Sequence, residues 1–312
     1  LGKGLHVALV YNADRDTAPE SPEDTGSSKD LRQMIRGMAR TLRGVGYRVT
    51  VVPLARNLYA FQRRLRRLHP DVVFNQYDDV VHGALYEMRL PAVVRMMGFP
   101  ITGSPPLALG LTRYKHMAAS LLQGVGIPIP PYTELIERVG DVDRREWGFP
   151  LIVQPSQEDA GIGLDRDSVV RSKTHLRRKV REVLGEYKQP ALVQAFLSGR
   201  EFNVGIIGGR RLRVLPLAEV DYSHLSTTIP PIMSYAAKWL KNTEEYRGTS
   251  VICPAEVEPE LAQKICATAL RTFRAVGAWG YGRADIRLDG ENRPHVLEFN
   301  CNPSIEEGVG LA

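Results

Sequence analysis

The spacing of apolar and polar positions changes period along the chain, and each change marks an element. HVALVYN, His6 to Asn12, reads as a short apolar strand and ends in a polar loop to about Ser28 that is flexible by composition. From Lys29 to Val45 the apolar residues Leu31, Met34, Ile35, Met38 and Leu42 recur at helical spacing, and Gly44-Val45-Gly46 breaks the helix. YRVTVVPL then begins a second strand, an Arg-rich helix covers Leu58 to Leu68, and DVVFNQ gives a third strand. Strand, helix, strand, helix, strand predicts a parallel α/β unit of Rossmann type. No GxGxxG follows the first strand, which argues against a dinucleotide site, and Arg63, Arg64, Arg66 and Arg67 read as a solvated helix face.

A helix containing LPAVVRMMG follows, then ITGS closes a strand and Pro105-Pro106 starts a helix that carries Lys115. A second α+β region opens with a strand from Leu151 to Gln154. It runs into Glu158-Asp159-Ala160-Gly161-Ile162-Gly163 and out into another strand. A flexible loop of small residues between two strands suits a lid over phosphates, because backbone amides approach oxygens closely only where side chains are small. Ordinary hairpins use glycine too. A charged scaffold helix over Lys173 to Tyr187 precedes three β runs with turns at Ser198-Gly199 and Gly208-Gly209, and Glu201 lies just past the first turn. IMSYAAKWL holds an isolated Lys238, and Glu256 to Val276 is helical.

The chain then reaches GYGRADIRLDGENRPHVLEFNCNPS, Gly280 to Ser304. Arg283, Asp285 and Arg287 share one strand face while Ala284, Ile286 and Leu288 share the other, and His295 to Asn300 alternates as well. LDGENRP is rich in turn residues, so the stretch reads as an antiparallel hairpin. With its centre between Glu291 and Asn292, Asp285 pairs with Glu298 and Arg283 with Asn300. Three hard oxygen ligands beside a guanidinium suit Mg2+, which is normally completed by nucleotide phosphates. A solvated charged face is the other reading of the hairpin taken alone.

Length and composition narrow this further. With 312 residues and 43% hydrophobic content, the chain accommodates two or three packed units. No apolar run approaches the roughly 18 residues of a membrane span, and no signal peptide is read at the start, so a cytoplasmic protein is expected. Cys253, Cys266 and Cys301 lack CxxC spacing, which argues against a disulfide frame or a zinc site. A net charge of +6 suits an anionic small substrate, and no basic run interleaved with aromatics favours nucleic acid.

In this order, GSPPLALGLTRYKHMAASLLQGVGIPIPPY, FPLIVQPSQEDAGIGL, LVQAFLSGREFNV, SYAAKWL and RADIRLDGENRPHVLEFNCNPS resemble the ATP-grasp superfamily, in its D-alanine-D-alanine ligase branch. The resemblance covers about Pro100 to Ser304. It implies an ATP-grasp fold, α/β and α+β, with a Rossmann-like pre-ATP-grasp domain over 1–107, a central subdomain with the lid over 108–197 and a C-terminal subdomain over 198–312. The implied reaction passes a γ-phosphate to a carboxylate, and an amine then displaces phosphate to leave an amide and ADP. Lys115 would contact the α- and β-phosphates and Lys238 the γ-phosphate. Glu201 would hold the ribose, and the backbone of Gln194-Ala195-Phe196-Leu197 would pair with adenine. Gln154, Glu158, Gly161, Gly163 and Leu297 complete the implied nucleotide contacts. Asp285, Glu298 and Asn300 would hold Mg2+, Arg283 would steady charge during acyl transfer, and Ser304 would stand where a glycine N–H usually assists. The family's usual habit is a homodimer.

The departures are informative. Gln154 stands where a Lys precedes Pro, and Gln194 replaces a hinge Glu. Ala160 and Gly161 occupy the places of two lid serines, Trp239 stands where a Tyr follows the Lys of SYAAK, and the N-terminal loop is unrelated. The nucleotide half is largely kept while features that select D-alanine are absent, which points to an amino-acid or peptide-like substrate pair other than two D-alanines. A nucleotide-binding pseudoenzyme and a ligase with a non-amine acceptor stay open as alternatives. The Ala13 to Ser28 loop, Asn75 to Glu87 with His82, and Ser223 to Ser234 are expected to line the substrate cavity.

Overall fold

The computed structural model describes residues 4–13, 28–55, 57–77, 84–305 and 311, with backbone alone for 28–30 and 84–86. The rest of the Ala13 to Ser28 loop, and His82, lie outside these residues. The chain divides into two compact units, Leu1–Gly110 and Leu111–Ala312.

In the first unit, β1 (His6–Asn12), α1 (Ser28–Gly44), β2 (Arg48–Leu54), α2 (Leu58–Leu68), β3 (Val72–Gln76) and α3 (Ala84–Met96) alternate as their periods predict. The parallel sheet has the order β2-β1-β3. Both faces of β1 are covered. Val7 and Leu9 pack with Ile35 and Ala39 of α1, while Ala8 and Val10 pack with Phe61, Leu65, Leu90 and Val94 of α2 and α3. This is why HVALVYN is apolar throughout instead of alternating. The arginines of α2 are exposed, as expected of a solvated face. ITGS does not close a strand: Ile101 makes only an isolated bridge to Val73, and the Asn75 N–H that would continue the ladder donates to the Thr102 hydroxyl at 3.0 Å instead.

Helix α4 (Pro106–Arg113) runs across the boundary, and Tyr114 separates it from α5 (Lys115–Gly124). The second unit then contains β4 (Glu134–Ile136), β5 (Leu151–Pro155), β6 (Val169–Val170), α6 (Lys173–Glu186), β7 (Ala191–Ala195), β8 (Glu201–Gly208), β9 (Leu212–Val214) and β10 (Ala218–Asp221). After these come α7 (Tyr235–Trp239), α8 (Glu244–Gly248), β11 (Ser250–Ile252), α9 (Pro259–Ala275), β12 (Gly280–Leu288) and β13 (Pro294–Asn300). The three β runs expected from Gln189 to Val220 are four strands: Gly208, at φ 128°, makes the expected turn between β8 and β9, and the third run is split around Pro216 into β9 and β10.

One sheet has the order β4-β7-β5-β6 and is covered by Leu176, Val180 and Val183 of α6. The other is six-stranded, ordered β11-β10-β8-β12-β13, with β9 also on β8. Helix α9 packs on it through Ile265, Ala269 and Phe273, opposite the apolar face of Ala284, Ile286 and Leu288. Each fully buried Ile or Phe here stabilises by about 1.5–3 kcal/mol. With that face of β12 committed to the core, its alternate residues must face the other way.

Candidate active site

The polar face of the six-stranded sheet carries three successive rungs. Glu201 pairs with Arg287, Asn203 with Asp285 and Gly205 with Arg283 across β8 and β12. On the other side, Asp285 pairs with Glu298 and Arg283 with Asn300, as the alternation predicts. The turn is centred on Glu291, half a residue earlier than expected, since Leu288 pairs with Pro294. Asp289 organises it, its Oδ1 accepting from the N–H groups of Glu291 and Arg293. A register shift between Asp285 and Ile286 leaves Leu297 as the extra residue, and this restores the expected pairs.

The charged face is buried, so it is not a solvated hairpin surface. Asp285 is 8% exposed and Arg287 4%. Arg283 donates to both oxygens of Asp285 at 2.6 and 2.7 Å, and Asn203 Nδ2 adds a third bond at 3.0 Å. Lys115, at the start of α5, forms an ion pair with Glu298. Burial raises the Glu298 carboxyl, but Lys115 and Lys238 outweigh it and hold it low, at about 2. For Asp285 burial prevails over the Arg283 charge and raises its carboxyl. Burial lowers the Lys238 ammonium, and Glu298 opposes that shift. Asn300 Oδ1 accepts from the Asn302 N–H at 2.8 Å, leaving its second lone pair.

This donor chemistry fits Mg2+. Two carboxylates and an amide oxygen share one sheet face, and Mg2+ takes one or two carboxylates and otherwise draws on water and phosphate. No group of three His, Cys, Asp or Glu suited to a metal occurs among the described residues, as expected when the third protein oxygen is an amide.

One rung away, Glu201 is 6% exposed and accepts from Tyr222 Oη at 2.9 Å and from Arg287 Nη1 at 3.0 Å. Burial raises its carboxyl against those two partners. The Arg287 guanidinium lies over the rings of Phe196 and Tyr222, 5.1 and 5.6 Å from their centroids. In the hinge, Ala195 N–H donates to Pro131 O and Phe196 N–H to Pro150 O, and Leu197 is buried. Gln194 Nε2 donates to Thr133 Oγ1 at 3.1 Å, and Gln154 Nε2 to Gln194 Oε1 at 3.3 Å.

The glycine-rich stretch is not a loose loop but a turn tied at several points. Gly161 and Gly163 have φ of 80° and 77°. A Cβ on Gly161 would come within 2.8 Å of the Ser234 and Tyr235 backbone, and one on Gly163 within 2.4 Å of Pro155 Cγ. Trp239 Nε1 donates to Ala160 O at 3.1 Å, and Arg166 grips Glu245 with two bonds at 2.5 and 3.0 Å. Glu158 accepts from Gln189 Nε2 at 2.7 Å, away from the carboxylate cluster. Ser304 is exposed, and its carbonyl accepts from the Leu311 N–H.

Sequence reasoning missed Arg113, Asp159, Asn203 and Tyr222, and it left Arg287 without a role. Asn203 was accessible in principle, two residues beyond Glu201 on the same strand face. Tyr222 was not, because nothing local marks a ring brought to β8 from beyond β10.

Buried cations and hard oxygens on one face of the six-stranded sheet, with a buried acid one rung away and a second four-stranded sheet in the same unit, are features of the ATP-grasp class. The solved structures agree in fold. The D-alanine–D-alanine ligase of Bacillus anthracis complexed with ATP superposes with a TM-score of 0.69 at 18% identity, over 98% of this chain and 89% of that one. The VanG D-Ala:D-Ser ligase of Enterococcus faecalis also gives 0.69, at 17% identity, over 98% and 93%. In sequence, an uncharacterized protein of Sinorhizobium fredii, y4sG, is 33% identical over 75% of this chain, which spans 66% of that relative's length. A D-alanine–D-alanine ligase of Chelativorans sp. is 28% identical over 97% of this chain and 89% of its own. Residues 121–307 match the family described as D-ala D-ala ligase C-terminus, and the chain belongs to that family, an ATP-grasp ligase of the D-alanine-D-alanine ligase-like branch.

Proposed function

We propose that the protein joins a small-molecule carboxylate to an amine with ATP and Mg2+, on a substrate pair other than two D-alanines. The observation that carries the reading is the Asp285–Glu298 and Arg283–Asn300 pairing on one buried face with Lys115 and Lys238 beside it. In this reading Asp285, Glu298 and Asn300 hold Mg2+, which when bound offsets phosphate charge. Lys115, Lys238 and Gln154 position the phosphates and Glu201 the ribose, and the Leu197 N–H serves adenine because its two neighbours are engaged. Gly161 and Gly163 let the lid backbone approach, and Arg283 neutralises charge that grows on the acyl oxygens. Phosphoryl transfer needs positioning and charge neutralisation more than a protein nucleophile.

The substrate assignment rests on the lid. Ala160 and Gly161 bring no hydroxyl, and Trp239 spends its N–H on the Ala160 carbonyl, so neither side chain is placed to meet a D-alanine carboxylate or ammonium. In this reading 1–107 is a pre-ATP-grasp domain, 108–197 the central subdomain with the lid, and 198–312 the C-terminal subdomain with the Mg2+ site. We also place the protein in the cytoplasm, as a homodimer that does not bind nucleic acid. Its three thiols are free, and among the described residues no helix is long and apolar enough to cross a membrane. The test is a screen of paired amino acids and carboxylates for substrate-dependent ADP release. D-alanine at high concentration should give no efficient dipeptide formation; a KM for D-alanine between about 1 μM and 1 mM refutes the assignment.

A further inference from the structure

The glycine-rich turn does more than close over the site: it puts an acid into it. Asp159, half-buried in that turn, is held by two cations at once. Its Oδ2 pairs with Arg113 Nη1, and its Oδ1 lies 3.5 Å from Lys115 Nζ. Both cations are deeply buried, with side chains 5% and 6% exposed. Arg113 is the last residue of α4 and Lys115 the first of α5, so the break at Tyr114 turns both side chains toward one carboxylate.

The cluster is also over-supplied with donors. Arg113 Nε is buried with no hydrogen-bond partner among the described residues, and so is the hydroxyl of Ser156, whose carbonyl accepts the Lys115 N–H at 3.2 Å. A buried, unpaired guanidinium nitrogen costs free energy, and although Lys115 also pairs with Glu298, the two carboxylates leave Arg113 Nε unmet. A phosphate chain has more oxygens and more charge, and it suits the planar fork of an arginine. Gln154 and Gln194, the polar side chains on the neighbouring strands, are neutral and bond each other.

We propose that Arg113 and Lys115 together form the seat for the nucleotide's phosphates, and that Asp159 fills this seat as a built-in anion which the triphosphate must displace. Arg113 is then a phosphate-binding residue, and Asp159 a competitor that holds the turn down when the seat lacks nucleotide. This rests on the ATP-grasp reading of the same site.

The experiment is calorimetric titration of the full chain with ATP, with adenosine and with inorganic tripolyphosphate. Asp159→Asn removes the competitor's charge at a half-exposed position, so the fold is not at risk. It should tighten ATP and tripolyphosphate by about fivefold or more and leave adenosine unchanged. Arg113→Lys keeps a charge but loses the fork. It should weaken ATP and tripolyphosphate about tenfold, again without effect on adenosine, and a thermal melt checks its fold. If Asp159→Asn weakens ATP or leaves it unchanged, Asp159 is not a competitor and the proposal fails while the nucleotide reading stands. If Arg113→Lys shifts adenosine as much as ATP, the proposal likewise fails alone. If the wild-type chain binds neither ATP nor adenosine, the nucleotide reading falls and takes the proposal with it.

Discussion

Replacing Arg287 with Met tests whether the polar face of the sheet is a paired, buried system. Arg287 and Glu201 are joined at 3.0 Å with side chains only 4% and 8% exposed. Among the described residues the substitution leaves Glu201 with Tyr222 as its one hydrogen-bond partner, and it also removes the bond from Arg287 Nε to Gly199 O at 3.1 Å. Breaking a buried pair by removing one member costs about 3–5 kcal/mol, because the other charge stays desolvated and unpaired. For a unit the size of Leu111–Ala312 this corresponds to a fall in Tm of about 6–20 °C, at roughly 2–4 °C per kcal/mol. Adding Glu201→Gln removes the stranded charge while keeping the bond to Tyr222, so the double variant should recover to within about 1–2 kcal/mol of wild type. The pH dependence follows from the raised Glu201 carboxyl. Below its ordinary value of 4.5 the group is protonated whether folded or unfolded. As pH rises from there through the raised folded value, the unfolded chain releases its proton first, so the group costs stability, and Arg287 limits that cost. The deficit of R287M should therefore grow from acid to neutral pH in thermal or urea unfolding. A single variant within 1 kcal/mol of wild type, or a deficit that does not change with pH, refutes the pairing argument.

Other substitutions examine the rest of the site. Asp285→Asn and Glu298→Gln keep size but each removes a ligand charge, so both should still fold, Asp285→Asn with a lowered melt because Arg283 loses its carboxylate, and both should lose turnover by several kcal/mol of transition-state stabilisation; unchanged kcat in both rules out the Mg2+ assignment. Gln154→Lys places a cation beside the proposed phosphates and should lower the KM for ATP, whereas a rise or lost activity shows a site rebuilt around the neutral amide. Gly161→Ala puts a Cβ within 2.8 Å of the Ser234 backbone at a φ of 80°, so the turn must lift away from α7. It should weaken ATP binding and speed proteolysis between Glu158 and Leu164, and a variant that binds and resists protease like wild type contradicts the close approach.

What the sequence disclosed follows from the range of each interaction. The Rossmann-like unit is legible because its strands and helices are set by local period, down to the bounds of α2 at Leu58 and Leu68. Clusters such as Arg113–Asp159 and Tyr222–Glu201 join distant stretches through tertiary packing, and no periodicity carries that information. The hairpin lies between these cases. Alternation and a turn-rich connection predict Asp285 opposite Glu298, and the structure has that pair, yet the turn is centred at Glu291. A regular ladder from that turn would pair Asp285 with Leu297 and Arg283 with Phe299, which puts Glu298 and Asn300 on the core face against α9. A one-residue slip moves every side chain to the opposite face, and burying an unpaired carboxylate there is prohibitively costly. The extra residue at Leu297 reverses the slip between Asp285 and Ile286. Beyond it Glu298 and Asn300 return to the polar side, while Val296 stays in the core at 1% exposure and Phe299 at 3%. The bulge therefore lets one short strand satisfy the core at both ends and still deliver two oxygen ligands to the same face as Asp285.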